Sequence, residues 1–416
     1  MTDIAEVLLR AAWVCPVNGP PIAGGWVAVG GGRIVGVGAG HDAPAAAKVV
    51  DLGDDVLLPG LVNAHTHLEL SWLRGRVPPG PDFLTWVGAM MGLRSGLERP
   101  GDPATDGPAR AAIDEMMATG TVAVGDISNA LVTPALLAEA GLPGVVFHEL
   151  LGFRVTDGRR AVESALSRHA GLASKDVRLS LAPHAPFSVS RELFEAIREA
   201  VAAMEGAPTS VHLGESPEEV TLLRTGGGPW RDRLQTLGAW RDGWTAPGCG
   251  PGDYLVDLGV VGPRTLVVHA GQLSDAELAR VAEAGATVVT CPRSNVWVGV
   301  GPPPVARFLA SGVALALGTD SLASVDDLNL FEELAALRRL APEAPARRLL
   351  AAATQGGADA LGLGADLGAI APGRRAAVIA VRMPRGVGDP EDALVAGVEP
   401  ARIRPVPVAS YHGWAH

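Results

Sequence analysis

Two histidines close an apolar run, Leu57-Leu-Pro-Gly-Leu-Val-Asn-Ala-His65-Thr-His67. In an extended strand, residues two apart point to the same face, so His65 and His67 at a strand end can reach one metal ion together. Two hydrogen-bonded or exposed histidines have the same spacing, so the pair alone does not decide between these readings. Polar residues recur at the ends of later apolar runs. Run 121–126 ends in Asp126, run 144–148 ends in His148, and run 177–183 is followed by His184. His212 follows run 209–211, with Glu215 three residues on; His269 follows run 265–268, and Asp320 follows run 313–318. Each alone has an ordinary explanation, as a bonded core histidine or an acid at the start of a helix. Six of the ten histidines at five such ends are hard to assign wholly to packing.

The runs that carry these residues alternate with amphipathic stretches at 82–97, 161–173, 191–204, 275–284 and 327–340. Counting the first run as 56–64 and adding 286–290 gives eight apolar runs. Buried strands alternating with helices imply parallel βα units, and eight of them imply a (β/α)8 TIM-type barrel whose strand ends converge on one mouth. Residues 1–58 differ: 6–13, 25–30, 33–37 and 47–52 are short β-rich segments, and 376–382 and 406–411 are strand-like again. The expectation is an α/β chain: a barrel over 59–367 and a small β-sandwich domain built from both chain ends, 1–58 plus 368–416. Segment 225–262 interrupts the rhythm with Trp230, Trp240 and Trp244 among glycines and prolines. It reads as an insertion on the ligand-binding face, part lid and part pocket wall, or as a covering loop with structural tryptophans.

Composition narrows the partners. The 416 residues fit a large barrel plus a smaller domain, and 48% hydrophobic with 19% charged residues excludes a disordered chain. A net charge of −11, without a basic cluster interleaved with aromatics, argues against nucleic acid. Cys15, Cys249 and Cys291 make neither a disulfide framework nor a Cys-x-x-Cys zinc site. No basic segment followed by an apolar stretch opens the chain, and Gly and Pro break the longer uncharged runs. A cytoplasmic protein with a small-molecule substrate and no membrane partner is expected; a homo-oligomer stays open.

Pro59-Gly-Leu-Val-Asn-Ala-His-Thr-His67, His212-Leu-Gly-Glu215-Ser, His269-Ala and Gly318-Thr-Asp320-Ser resemble, in order and spacing, the motifs of the amidohydrolase superfamily. The resemblance covers nearly the whole chain, including Leu367-Gly-Ala-Ile-Ala-Pro-Gly373 at the return into the β-domain, where Ala376 and Ala377 stand in place of a common Asp. A bridging carbamylated lysine marks the two-metal members. The only lysines here are Lys48, in the β-domain, and Lys175, ahead of the fourth run, and that run ends in His184. Glu215, three residues beyond His212, instead resembles the one-metal deaminase branch. This resemblance implies one divalent ion, Zn²⁺ first and Fe²⁺ as the alternative, held by His65, His67, His212 and Asp320. It implies Glu215 as proton carrier, His269 with Asp320 orienting the attacking hydroxide, and hydrolytic deamination of an aminated ring.

For the substrate, Ala182-Pro-His-Ala-Pro-Phe-Ser-Val-Ser190 resembles a motif of deaminases acting on adenosine-like nucleosides, making His184 a nucleoside contact. Cys291-Pro-Arg-Ser-Asn295 resembles a further motif near the pocket and adds Asn295. His67-Leu-Glu-Leu-Ser-Trp-Leu-Arg-Gly75 and Asp82-Phe-Leu-Thr-Trp-Val87 most resemble the branch that converts 6-aminodeoxyfutalosine to futalosine and ammonia in menaquinone synthesis. Arg94 or Ser95 aligns where relatives acting on S-adenosylhomocysteine or methylthioadenosine carry a ribose-binding Glu. Arg94 and Arg154 are candidate ligands for a substrate carboxylate, or exposed arginines on solvated faces. Glu69 shares the face of His67 if the strand continues, and is a further candidate contact. Other outcomes are a deaminase of S-adenosylhomocysteine, methylthioadenosine or guanine, a triazine-type chlorohydrolase, or, in another class, a non-catalytic metal-binding barrel.

Overall fold

The structure is a computed structural model that describes residues 5–40, 42–94, 99–384 and 386–406. Eight parallel strands form its centre: β1 (Leu61–Thr66), β2 (Thr121–Ser128), β3 (Gly144–Leu150), β4 (Val177–Pro183), β5 (Thr209–Leu213), β6 (Thr265–His269), β7 (Thr287–Thr290) and β8 (Ala314–Leu317). Strands β1 to β4 pair in sequence order, as do β5 to β8. Two seams join these half-sheets. At one, His212 N–H donates to the His184 carbonyl at 2.8 Å, and Thr209 Oγ1 donates to the Leu181 carbonyl at 2.8 Å. At the other, the N–H groups of Thr319 and Asp320 both donate to the His65 carbonyl at 3.1 Å. The result is the expected (β/α)8 barrel. Every residue of β2 is buried, as a parallel strand covered on both faces requires.

Helices cover the outside because their apolar stripes face the strands. In Arg191–Ala203, Leu193, Phe194, Ile197 and Val201 are buried, and Ser190 caps the start by accepting the Leu193 N–H. Asp275–Glu283 starts in a capping box formed by Ser274 and Glu277. Among the described residues, no helix is long and apolar enough to cross a membrane.

The chain ends build two further sheets. One runs, in order, Arg33–Ala39, Gly25–Gly30, Ala5–Arg10 and Ala46–Asp51; the other runs Ile403–Pro405, Val378–Arg382, Asp55–Pro59, Trp13–Val14 and Ile22–Ala23. Leu9, Val27 and Ile34 from the first pack with Leu57, Val378 and Ala380 from the second. Of the C-terminal strand expected at 406–411, residues 407–411 lie outside the described residues, and the strand observed is Ile403–Pro405.

The run read as a single first strand, 56–64, is two strands in two sheets. Asp55–Pro59 pairs with Val378–Arg382, and β1 begins only after Gly60. Gly60 donates its N–H to the Ala377 carbonyl, whereas the next N–H, of Leu61, donates to Gly120 in the barrel. An apolar run buried at both ends hides this change of partner, because its periodicity does not alter. A Cβ at Gly60 would lie 2.1 Å from Val122 Cγ1. Gly60→Ala is therefore expected to cost roughly 1–3 kcal/mol through overpacking at this junction. Thermal denaturation should show a lowered Tm, and an unchanged Tm would mean that Val122 moves aside freely.

Candidate metal and catalytic site

The barrel mouth gathers the strand-end residues. His65, buried on β1, has ring centroids 4.9 Å from His67, 5.0 Å from His212 and 5.9 Å from His269. Asp320 Oδ1 lies 3.9 Å from His65 Nε2 and 3.6 Å from His67 Nε2. Two sets of potential ligands share His65: one adds His67 and Asp320, the other His212 and His269, with the donor atoms of each set within 4.8 Å of one another. Both ring nitrogens of His65 are buried without a hydrogen-bond partner. Such atoms are costly unless something binds them, and an ion at the centre would engage one of the two.

Electrostatics fits that reading for His65, His67 and His269. Burial, reinforced by neighbouring histidines, drives His65 well below its ordinary range and His67 to about 3. Burial likewise lowers His269 to about 3. Neutral imidazoles keep a lone pair for a ligand. For His212, burial disfavours the charge, but Glu149, with Oε1 3.4 Å from His212 Nδ1, together with Glu215 and Asp320, outweighs it and raises the ring to about 9. Glu215 Oε1 stands 3.4 Å from His269 Nε2, and burial lifts its carboxyl to about 8 although His212 opposes the shift. Nitrogen and carboxylate donors, with a buried acid beside them, suit a catalytic zinc-type centre.

Backbone geometry holds these groups. His269 and Asp320 have φ of 72° and 61°, in the left-handed region that non-glycine residues seldom enter. The Asp320 N–H is bound by His65, its carbonyl accepts Thr66 Oγ1 at 2.8 Å, and its Oδ2 accepts Ser294 Oγ at 2.6 Å. Glu219 is buried and accepts the N–H groups of Gly214 and Glu215 at 3.0 and 3.2 Å, fixing the turn that presents Glu215.

Other expected residues fall in different places. The His184 ring is 5.0 Å from that of His212, and Glu149, His184 and His212 form a third set of close donor atoms. Asn295 is buried in helix Pro292–Trp297. Glu69 does not continue β1; it lies in the 3-10 helix Leu68–Leu73. There its carboxylate accepts Arg94 Nη2, Ser128 Oγ and the N–H groups of Asn129 and Ala130, so both oxygens are engaged within the protein. Arg94 Nη2 also donates to Asn129 Oδ1 at 2.8 Å, and Ser95 lies outside the described residues. Arg154 is exposed and donates to the Gly238 carbonyl at 2.8 Å.

At the end of β3 the residue facing the site is Glu149, not His148. Strand alternation turns His148 away, toward His169 and Arg168. Glu149 stood one residue beyond the expected strand end, and Glu219 and Ser294 carry no pattern that separates them from ordinary helix residues. Segment 225–262 contains helices Pro229–Thr236 and Pro251–Asp257. Trp230 stacks on Phe187 with centroids 4.0 Å apart, and Phe187 meets the His184 ring at 5.5 Å.

Comparison with known proteins agrees with this geometry. The amidohydrolase family model matches residues 56–406. The aminodeoxyfutalosine deaminase of Deinococcus radiodurans is 37% identical over 317 residues, 74% of this chain and 73% of the relative. The aminofutalosine deaminase of Helicobacter pylori, solved with methylthio-coformycin, superimposes with a TM-score of 0.84 at 26% identity, covering 95% of this chain and 97% of that one. An adenosine deaminase from Xanthomonas campestris with bound zinc superimposes with a TM-score of 0.81 at 27% identity, covering 96% and 90%.

The displaced His148 gives a pH prediction. Arg168 can only donate, so Nε2 of His148 accepts from it and Nδ1 carries the proton toward His169. Burial, then Arg168, lowers His148 from 6.5 to about 4. The unfolded chain therefore takes up this proton first. The contribution to stability is present above pH 6.5 and is lost as pH falls toward about 4. In denaturant titrations across that window, His148→Gln should lose less stability on acidification than the unaltered protein. Parallel losses would remove His148 from the acid response.

Proposed function

The chain belongs to the amidohydrolase family, and from that premise we propose that it is a hydrolase that deaminates an adenosine-like nucleoside, 6-aminodeoxyfutalosine in particular. The observation that carries the reading is the pair of potential ligand sets that share His65, one with His67 and Asp320 and the other with His212 and His269, beside buried Glu215. The identity to the Deinococcus radiodurans relative, over about three quarters of each chain, supports the substrate. His65, His67, His212 and Asp320 would form a cage around one divalent ion, zinc first and iron(II) as the alternative, with His65, otherwise unpartnered, at the centre. Such an ion supplies Lewis acidity and brings the pKa of water to about 7.

The chain's own groups do the rest. Water adds to the ring carbon that bears the amino group. Glu215 takes the proton from the water and passes it to the adjacent ring nitrogen, then assists departure of the amino group as ammonia. The C–N bond to the amino group breaks and a ring carbonyl remains, so one water is consumed per ammonia. A carboxyl lifted toward neutrality suits both halves of this transfer. His269 and Asp320, both with left-handed backbone, orient the attacking oxygen. His184 and Asn295 contact the nucleoside, and Phe187 and Trp230 give the ring an apolar wall that excludes water. A small nucleoside substrate and three free cysteines favour a cytoplasmic setting.

Of the two arginines, Arg154 is the better candidate for a substrate carboxylate. Glu69 already neutralises Arg94, whereas Arg154 stands exposed on the loop after β3 and is tied to the insertion. A second reading, deamination of methylthioadenosine or S-adenosylhomocysteine, keeps the chemistry and drops the carboxylate contact. Two outcomes separate them. Zinc-loaded protein should release ammonia from 6-aminodeoxyfutalosine faster than from methylthioadenosine, S-adenosylhomocysteine, adenosine or guanine. Arg154→Ala should raise KM for the carboxylated substrate and leave that for methylthioadenosine unchanged. Glu215→Gln should retain its metal and lose roughly 10²- to 10⁴-fold in kcat. Full turnover by that variant, or no ammonia from metal-loaded protein across the panel, would overturn the reading.

A further inference from the structure

One uncharged side chain joins the two ionic clusters beside the cage. Asn129 follows β2. Its Oδ1 accepts from Arg94 Nη2 at 2.8 Å, and its Nδ2 donates to Glu149 Oε2 at 2.9 Å and to the Glu149 carbonyl at 3.1 Å. The charges fix which way the carboxamide faces. Reversed, it would set N–H against guanidinium and oxygen against carboxylate. The turn beneath is braced on both sides. The Asn129 and Ala130 N–H groups hold Glu69, and Arg168 donates to the Asn129 and Ala130 carbonyls at 3.4 and 3.0 Å. Ser128 Oγ donates to Glu69 and accepts the Leu131 N–H.

Glu149 is the group this arrangement serves. It is buried, and its Oε1 faces His212 Nδ1 at 3.4 Å, a distance long for a hydrogen bond. The same Nδ1 faces the His184 carbonyl at 3.3 Å. Two acceptors at Nδ1 fix the tautomer and leave Nε2 of His212 as the lone-pair nitrogen. A carboxylate behind a ligating histidine commonly sets ring orientation and basicity in this way.

We propose that Asn129 is a positioning residue for the metal cage: its carboxamide anchors Glu149 Oε2 so that Oε1 faces His212, and it ties that carboxylate to Arg94 on the other side. The inference rests on the reading of His212 as a metal ligand. Removing the Nδ2 donor frees Glu149 to turn toward Arg94, and His212 then loses the carboxylate that orients it.

The test is zinc affinity, measured by competition with a chromogenic chelator on the full chain. Asn129→Asp preserves shape and the Arg94 contact but sets a carboxylate against Glu149. It should weaken zinc binding roughly 10- to 100-fold, the range for loss of such supporting contacts, while the zinc-free protein melts near the unaltered protein. Glu149→Gln alone should also weaken binding. The double variant Asn129→Asp with Glu149→Gln restores one donor and one acceptor in reversed order, leaving the new carboxamide oxygen toward His212, and should bind zinc more tightly than either single variant. Equal zinc affinity in Asn129→Asp and the unaltered protein would overturn the assignment. So would a double variant no better than the weaker single one. If the unaltered protein takes up no zinc, the functional reading fails as well; if it takes up zinc and Asn129→Asp matches it, only the role of Asn129 falls.

Discussion

The site depends on one carbonyl. His65 sits at the end of β1, and its backbone oxygen receives the N–H groups of both Thr319 and Asp320. Those two bonds close the barrel between its last strand and its first, and in doing so bring the Asp320 carboxylate within 4 Å of His65 and His67. Closure and site assembly are thus the same contact. The approach is tight: a Cβ at Gly318 would lie 2.7 Å from the His65 oxygen and 2.8 Å from the His65 Cβ. Asp320 reaches its position through a left-handed φ, tolerated because its N–H, carbonyl and carboxylate are each held by a different neighbour.

Around that contact the fold buries carboxylates and gives them opposite characters. Burial raises both Glu149 and Glu215. For Glu149 the cost is outweighed by His184 and His212, and its carboxyl falls well below the usual range. For Glu215 the opposing influence of His212 is too weak, and it rises to about 8. One acid therefore stays an anion that orients a ring, while the other can exchange a proton near neutrality. Separation of two nearby carboxyls by environment is how a single pocket supplies both roles. Glu219 is raised to about 7 by burial, and its two backbone donors only partly oppose this, so it acts through the turn it holds rather than through the substrate.

The barrel and the strand-end histidines were legible in the sequence because both follow from periodicity. Eight apolar runs gave the strands, and residues just past them had to meet at one mouth. What periodicity could not supply was the residue at which a strand stops. Placing the third end at His148 rather than Leu150 hid Glu149, since one step along a strand exchanges inside for outside. Glu69 was expected to follow β1, but the chain turns into a 3-10 helix directly after His67. The division of run 56–64 at Gly60 was invisible because both halves are fully buried. Asn129 had no signal at all: its significance lies in two ionic partners, Arg94 at the end of helix Phe83–Leu93 and Glu149 in β3, both distant in sequence.

The tryptophan-bearing insertion was open to two readings, and its contacts weigh on one. A lid that swings clear must leave little buried contact behind. Trp230 is 4% exposed, lies flat against Phe187 and packs with Phe83, while Phe187 in turn meets His184. At the far end, Arg241 makes a two-point ion pair with Glu192 on the helix after β4, and Trp240 and Trp244 pack on Phe153. Lifting the insertion would expose these aromatic faces together, so Trp230 behaves as fixed wall. In (β/α)8 barrels chemistry resides on the strand ends and substrate choice on the loops packed over them. That is why the residues gathered at the mouth can be read from spacing, whereas the partners of the loop candidates, such as Glu69 for Arg94 and the Gly238 carbonyl for Arg154, emerge only in the folded chain.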